Sequence, residues 1–564
     1  MVRNFFDFLY KETRTLNQAA LLLGLFAFLS QVLAFLRDRL LAHIFGASSE
    51  LDIYYAAFRI PDFLFITVAS IVSLSVLIPF IIEKEAESLA ALRDFVNNIF
   101  SFFSVLIILV SGLAYFLMPA ISGVLFKGFS GPALTEVISI SRMLLLSPIL
   151  LGFSNLFGSL TQAYNRFTIY ALAPLLYNAG IIVGIIFLTE RFGVMGVAMG
   201  VILGASLHAL VQVPFVVKSG LFPRLRLGFG GQARFNWNIV RQVMKISLPR
   251  TLTLSMSSVS LVFLVSLASL MTAGSISILS LSINLQSIPL SIIGVSYSLA
   301  AFPTLSRRFK ENNLAAFVRQ MSATARFIIF WSLPLSALLI VLRAQMVRVV
   351  LGSGLFDWED TRLTAAALAL FALSSMFQCL LLLFMRGFYS AGFTRKPFFI
   401  NLFSTVLLVV GAWGLVKIFY LSLGFRYFMS AILKVENLSG TVVLMLPLSF
   451  SIATIANGLL HWAAFEREFR GFSRHVYKTL FDCLGTSVIM GAVAYVGLNI
   501  FASFFNTSSL LGIFLQGAVS GVLSIVAGVV ILLLLKNKEL TEIWSAFHER
   551  FWRTKVIATD PEIV

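Results

Sequence analysis

Residues 510–535 read LLGIFLQGAVSGVLSIVAGVVILLLL, an apolar stretch without a charged side chain. A helix needs about 20 such residues to cross the hydrocarbon core of a bilayer. Comparable stretches recur along almost the whole chain of 564 residues, of which 59% are hydrophobic and only 12% are charged. A soluble protein of this length would carry far more polar surface. The sequence therefore predicts an all-α protein that spans the membrane many times.

Apolar runs bounded by charges, glycine or proline define the predicted helices. About fourteen spans follow from this pattern, at roughly 17–44, 51–82, 96–124, 134–163, 167–188, 193–217, 240–270, 275–303, 315–343, 362–388, 396–420, 440–465, 478–504 and 508–536. The first run begins near Leu16 and has no small-residue cleavage pattern. We therefore expect it to remain as a helix and not to act as a removable signal.

A repeated proline pattern predicts an internal duplication. Ile60-Pro61 lies within the second predicted span and Ile288-Pro289 within the eighth, and these spans end at Pro79 and Pro303. The repeat indicates two six-helix lobes around a central cavity, related by an axis along the membrane normal. We expect Pro61 and Pro289 to act as hinges. The predicted divisions are 1–230 for the N-terminal lobe, 231–470 for the C-terminal lobe, 471–536 for helices 13 and 14, and 537–564 for a cytoplasmic amphipathic tail.

The excess of positive charge predicts an orientation. The chain has 42 Lys and Arg against 25 Asp and Glu, a formal net charge of +17. With the N-terminus in the cytoplasm, most of the basic residues fall in inner loops, as the positive-inside rule requires. Both termini are therefore predicted to be cytoplasmic. Loops that face anionic lipid explain the surplus without a nucleic-acid partner.

The sequence offers no catalytic or nucleotide-binding motif. It has no G-x-x-x-x-G-K-[ST] loop, no H-E-x-x-H and no G-x-S-x-G. The cysteines, Cys379 and Cys483, lie within apolar runs, and the lone histidines His208 and His461 have no partners at ligand spacing. We therefore expect neither an enzyme nor an ATP-driven pump, and no cofactor or metal site.

Four of the charged residues in the first two predicted spans are candidates for a binding site. Arg37 and Asp38 lie at the end of the first, and Asp52 and Arg59 lie in the second. Ionisable groups inside a membrane are expensive and by default functional. Because guanidinium forks bind phosphate groups, Arg37 and Arg59 are predicted to clamp a diphosphate, with Asp38 and Asp52 orienting or neutralising them. A structural ion-pair network between the two helices remains the alternative.

Residues 30–38 read SQVLAFLRD, and residues 52–61 read DIYYAAFRIP. Residues 302–307, in the second half of the chain, read FPTLSR. Together these segments resemble the bacterial lipid II flippase MurJ (MviN) family of the MOP exporter superfamily. The first is similar to that family's S-R-V-L-G-F-x-R-D, the second to D-A-F-x-x-A-F-[KR]-[IL]-P, and the third to the family's second half. The resemblance covers the first twelve predicted helices.

The resemblance implies a fold, a membrane and a site. The fold would have fourteen helices in two lobes, in the bacterial cytoplasmic (inner) membrane. Its cationic cavity would accept the diphosphate-sugar head of an undecaprenyl-linked precursor. Arg37, Asp38, Asp52 and Arg59 match functional cavity positions of that family.

The chain departs from the family pattern at polar positions. Gln31 stands where the family has a second arginine in the first helix, and Asn284 where the eighth helix usually offers one. Residues 69–72, ASIV, replace A-E-G-A, and the eleventh predicted helix has no aspartate of the kind associated with sodium sites. These changes bear on the binding mode and on ion coupling. Further candidates for polar cavity residues are Ser30, Gln31, Asn284 and Arg250.

The predicted function is lipid II flipping for cell wall biogenesis. An undecaprenyl-diphosphate-linked disaccharide-pentapeptide would move from the cytoplasmic to the outer leaflet by alternating access. The membrane potential or a monovalent ion gradient would drive it. The expected partners are this lipid, membrane lipids and cell-wall synthesis proteins, with the chain itself a monomer. Three alternatives remain: an exporter of another undecaprenyl-linked oligosaccharide, a drug or cation antiporter, and a degenerate scaffold that does not transport.

Overall fold

The computed structural model describes residues 16–72, 74–226 and 235–551, and every regular element in these ranges is helical. The helices of the first half are α1 (Leu16–Phe45), α2 (Ser49–Leu64), α3 (Leu74–Glu87), α4 (Leu89–Leu125), α5 (Gly131–Leu144), α6 (Leu146–Ala163), α7 (Phe167–Val183), α8 (Thr189–Phe192), α9 (Val194–Leu210) and α10 (Val213–Lys218). The helices of the second half are α11 (Trp237–Ser269), α12 (Ser275–Pro289), α13 (Ser296–Lys310), α14 (Leu314–Val341), α15 (Arg343–Val350), α16 (Trp358–Ala372), α17 (Ser375–Ser390), α18 (Arg395–Leu421), α19 (Leu423–Leu433), α20 (Met445–Glu468), α21 (Phe472–Phe501), α22 (Leu510–Leu534) and α23 (Lys538–Phe551).

Many of these helices can cross a membrane, which confirms the predicted class of protein. Within the described ranges, 10 helical stretches are long and apolar enough to span, or up to 11 if the bent pair α16 and α17 counts as one span. Helices also occupy the predicted spans 17–44, 51–82 and 240–270, but they are not among those stretches. The exact count of fourteen stays a prediction.

The two predicted hinge prolines lie in helices that are interrupted in the same way. Pro61 lies in α2, which passes into a π-helical segment at Phe65–Ala69, and Pro289 ends α12 directly before another at Leu290–Val295. A proline removes one backbone hydrogen bond, and π-helical segments in helices are frequent at functional sites. Ser141 donates its hydroxyl to the Ala57 carbonyl at 3.1 Å, one turn before Pro61. The local break therefore repeats as the sequence predicts.

The helices group into two compact units. One comprises the described parts of 1–283, 350–367 and 394–453, and the other those of 284–349, 368–393 and 454–564. The predicted lobe boundaries stay a prediction.

Small residues allow close helix packing in the first unit. Gly180 on α7 and Gly184 just after it face Gly200 and Gly204 on α9. A Cβ atom on Gly200 would lie 2.7 Å from the Gly184 Cα atom. Small residues at a four-residue spacing let membrane helices approach closely. This contact fixes the position of α7, which carries Tyr177 and Asn178.

A cluster of phenylalanines forms the core of the second unit. Phe317, Phe384, Phe388, Phe465 and Phe472 are fully buried and pack with edge and tilted contacts between their rings. Such aromatic pairs stabilise beyond the area that they bury. The core therefore joins α14, α17, α20 and α21.

The amphipathic tail helix contacts the second unit through a buried carboxylate. The sequence pattern places Glu539 on the polar face of the tail, but its exposed fraction is 2%. It lies 3.1 Å from the Arg326 guanidinium and accepts a hydrogen bond from Thr479. Leu540 also packs against the core, whereas Trp544 is exposed. The first turn of α23 is thus docked on protein. The side chains of the tail beyond Ser545 lie outside the described residues.

Candidate functional site

Arg37 is held in a polar network that joins α1 and α7. Its Nε and Nη2 atoms donate to one oxygen of Asp38 at 2.9 and 2.8 Å, and its Nη1 atom donates to the Asn178 side chain at 3.1 Å. Asn178 in turn donates to the Ser30 hydroxyl at 3.3 Å. The network brings together three predicted site residues, Ser30, Arg37 and Asp38. The network directs guanidinium donors of Arg37 to protein acceptors. It therefore also agrees with the alternative prediction, a structural ion-pair network.

Arg59 uses fewer of its N–H donors in described protein contacts than Arg37 does. Its Nη2 atom donates to the Ser280 hydroxyl on α12 at 2.9 Å. Its Nε atom is buried and has no hydrogen-bond partner among the described residues, and the same is true of the Tyr55 hydroxyl one turn earlier. Buried polar atoms without partners are uncommon in folded proteins and call for an explanation. An anionic ligand would satisfy the Arg59 donor.

Two buried tyrosines connect the surroundings of the arginines. Tyr54 and Tyr55 lie on α2 with exposed fractions of 5% and 8%. Both interact electrostatically with Arg37 and with Arg59. The two predicted clamp residues therefore belong to one neighbourhood, which their separation in sequence does not reveal.

A small cavity lies beside the break in α2. Its volume is about 200 Å³, and Pro61, Asp62, Ser147 and Tyr177 are among the residues that line it. Asp62 interacts electrostatically with Arg59 and with Tyr177. The sequence analysis missed this acid. The available signals were its position directly after the hinge proline and three residues after Arg59, on the same helix face.

Asp52 lies on α2 and places its carboxylate at the N-terminus of α12. Its carboxylate accepts hydrogen bonds from the backbone N–H groups of Gly274 and Ser277, at 2.8 and 2.7 Å, and from the Ser277 hydroxyl at 2.6 Å. Carboxylates at a helix N-terminus satisfy free N–H groups and complement the helix dipole. These contacts give Asp52 a capping role on α12. Its role beside the arginines stays a prediction.

Replacing Asp52 with alanine tests the capping role. We expect a loss of about 1–3 kcal/mol in the free energy of unfolding, because buried N–H groups lose their acceptor. Asp52→Asn keeps one acceptor and should lose less. Thermal unfolding in detergent measures both variants. Unchanged stability combined with lost substrate binding would instead favour the charge-partner role.

The other predicted cavity residues are dispersed. Gln31 is half-buried on α1, and Asn284 belongs to the second unit, where its carbonyl accepts a hydrogen bond from Ser287. Nearby, Gln286 and Gln378 form a buried amide pair with distances of 3.3 and 3.0 Å. The Arg250 side chain lies outside the described residues.

The second unit contains a larger apolar groove of about 990 Å³. Its walls come from α14, α17, α20 and α21, together with the end of α16. Trp462, Glu466, Arg467, Ser473 and Tyr477 add polar atoms to a lining that is otherwise mostly apolar. A groove of this composition suits an acyl or isoprenoid chain.

Comparison with known proteins identifies the family. The sequence profile of the family described as "Lipid II flippase MurJ" matches residues 41–516. This chain belongs to the lipid II flippase MurJ family. A relative described as "Probable lipid II flippase MurJ" from Buchnera aphidicola subsp. Acyrthosiphon pisum (strain APS) is 27% identical over 391 residues, 68% of this chain and 75% of the relative.

Solved structures agree with MurJ membership at the level of fold. One described as lipid II flippase MurJ in an inward closed conformation aligns with a TM-score of 0.70 and 21% identity, over 94% of this chain and 100% of that one. A multidrug resistance MATE family transporter of the MOP superfamily aligns with a TM-score of 0.59 and 16% identity, over 78% of this chain and 96% of that one. The predicted family and the transporter class are confirmed by the family match, and the MATE structure shows a shared fold.

Proposed function

We propose that this chain flips lipid II, the undecaprenyl-diphosphate-linked disaccharide-pentapeptide, from the cytoplasmic to the outer leaflet of the membrane. The match to the MurJ family over residues 41–516 carries the proposal. Arg37 and Arg59, which lie in one polar neighbourhood of the first unit, support it. A diphosphate away from bulk water needs cationic hydrogen-bond donors. Cell wall biogenesis is the process served.

The two arginines have different roles in this proposal. Arg59 is the principal ligand of the diphosphate, because its Nε atom is buried without a partner in the described part of the chain. Arg37 already donates three of its five N–H groups to Asp38 and Asn178, so fewer donors remain for a ligand. Its contribution is therefore smaller and depends on the conformation of α1 relative to α7.

The lipid tail and the head group have separate requirements. The undecaprenyl chain remains in contact with bilayer lipid. The head group is larger than the cavity of about 200 Å³ beside Pro61. That cavity therefore serves only a part of the site.

The proposal includes a location and a driving force. The chain resides as a monomer in the bacterial cytoplasmic membrane with both termini inside, which the distribution of its 42 lysines and arginines supports. The membrane potential or a monovalent ion drives alternating access. Cell-wall synthesis proteins are its partners.

Replacement of an essential lipid II flippase in a bacterial host tests the function. Cells depleted of their own flippase should grow when this chain is produced and inserted in the membrane. Flipping should be measured directly as lipid II exposed on the outer face of spheroplasts. Insertion without exposed lipid II would contradict the proposal and favour a scaffold. Export of a different undecaprenyl-linked oligosaccharide in the same cells would favour that alternative.

A further inference from the structure

Asp62 is an ionisable group of α2, within the predicted span 51–82, for which the proposed function has no role. It lines the cavity of about 200 Å³ together with the hydroxyl-bearing residues Ser147 and Tyr177. Within the described part of the chain, its carboxylate takes part in no hydrogen bond or close ion pair. A carboxylate on a mostly apolar cavity wall requires a counter-charge.

Arg59 supplies that counter-charge, and it is also the proposed diphosphate ligand. Asp62 lies three residues after it on α2, and the two interact electrostatically. A diphosphate bound to the guanidinium would carry more negative charge than the single positive charge of Arg59 can neutralise. The Asp62 carboxylate would then share its counter-charge, Arg59, with the diphosphate in a site of low polarity. It would therefore attract a small cation.

We propose that Asp62 is a binding site for a monovalent cation, either H⁺ or Na⁺, whose occupancy is linked to a diphosphate bound at Arg59. This rests on the proposed function for the identity of the anion. Because linkage is reciprocal, the cation raises affinity for the diphosphate by the factor by which the diphosphate raises affinity for the cation. The lipid head group and the cation therefore bind cooperatively.

The groups around the carboxylate are few. On its own helix α2 it interacts with Arg59, and from α7 with Tyr177, whose ring contacts that of His208 on α9. Arg37 of α1 also interacts with Tyr177. The cavity residues contributed by α5 and α6 are not titratable: Leu144, Ser147, Pro148 and Leu151. Asp62 is therefore the only carboxylate on the cavity wall in the described part of the chain.

The two cations make different demands on the cavity. A proton needs only the carboxylate, whereas Na⁺ needs several oxygen ligands, as hard cations generally do. Ser147 and Tyr177 offer hydroxyl oxygens on the same wall. Loss of either hydroxyl should weaken Na⁺ binding and leave proton uptake unchanged.

The test uses the full-length protein in lipid nanodiscs with undecaprenyl diphosphate as the probe. Proton uptake on binding is followed with a pH indicator in weak buffer, and ²²Na⁺ binding is followed at equilibrium. We expect the wild type to take up about one cation per bound lipid, and we expect the cation to tighten lipid binding about 10-fold. Asp62→Asn should still bind the lipid but lose both effects. Glu190→Gln, an exposed acid in α8, is the matched control and should behave as wild type.

Two further arms complete the test. Ser147→Ala and Tyr177→Phe identify the cation, because only a Na⁺ site depends on those hydroxyls. If undecaprenyl diphosphate fails to bind the wild type, the proposed function fails, and the cation site is then judged by ²²Na⁺ binding and proton titration without lipid. Cation binding that is equal in Asp62→Asn and wild type, or absent from both, overturns the inference.

Discussion

Arg59→Ala should abolish lipid II flipping and weaken binding of undecaprenyl diphosphate by about 100-fold or more. Charge-assisted hydrogen bonds contribute about 1.5–3 kcal/mol each. The guanidinium offers a second N–H together with its Nε donor, which has no partner in the described part of the chain. Affinity is measured on nanodiscs, and flipping in cells depleted of their own flippase. Arg59→Lys keeps the charge but loses the planar fork, so its loss should be intermediate.

Controls separate binding from folding at this position. Removing Arg59 leaves Asp62 without its counter-charge, which by itself destabilises the helix. The double variant Arg59→Ala with Asp62→Asn should recover thermal stability but not lipid binding. Arg191→Ala is the matched arginine control, because Arg191 is an exposed residue of α8 and is not part of the proposed site. Equal affinity of Arg59→Ala and wild type for the lipid would exclude Arg59 from the site.

The membrane fold is predictable because its physical signal is local. Apolar length, bounding charges and prolines are all read within about 20 residues. The breaks after Pro61 and Pro289 have the same local origin. The amphipathic tail shows the limit of such patterns. Helical periodicity places Glu539 on a polar face, but the partners Arg326 and Thr479 come from distant helices and bury it.

The site is predictable as a set of residue types but not as a set of contacts. Arg37 and Asp38 are neighbours in sequence and form the predicted pair. Asp52 and Arg59 share a face of α2, yet Asp52 contacts the start of α12 and Arg59 contacts Ser280 further along it. Periodicity within one helix cannot reveal which residues of a neighbouring helix lie opposite. Ser280 carries no sequence signal at all, because hydroxyl residues are common in α12. Tertiary packing decides these partners.

An added side chain at Gly200 should disturb the packing of α7 against α9. A Cβ atom there would lie 2.7 Å from the Gly184 Cα atom and 3.0 Å from the Gly180 carbonyl oxygen, both of them backbone atoms that cannot rotate away. Overpacking a membrane helix interface typically costs about 1–3 kcal/mol. We expect Gly200→Ala to lose stability within this range, despite the better helix propensity of alanine. Gly200→Leu should prevent recovery of folded protein.

The same substitution should also change the site, because α7 carries both the Gly180 contact and the residues Tyr177 and Asn178. Separation of α7 from α9 would displace the Asn178 acceptor of Arg37. Gly112→Ala in α4, where nothing lies within 4 Å of the added atom, is the matched control and should keep or slightly raise stability. Size-exclusion profiles and thermal unfolding in detergent measure all three variants. If Gly200→Leu unfolds at the wild-type temperature, the close approach of α7 and α9 is not what holds this part of the unit together.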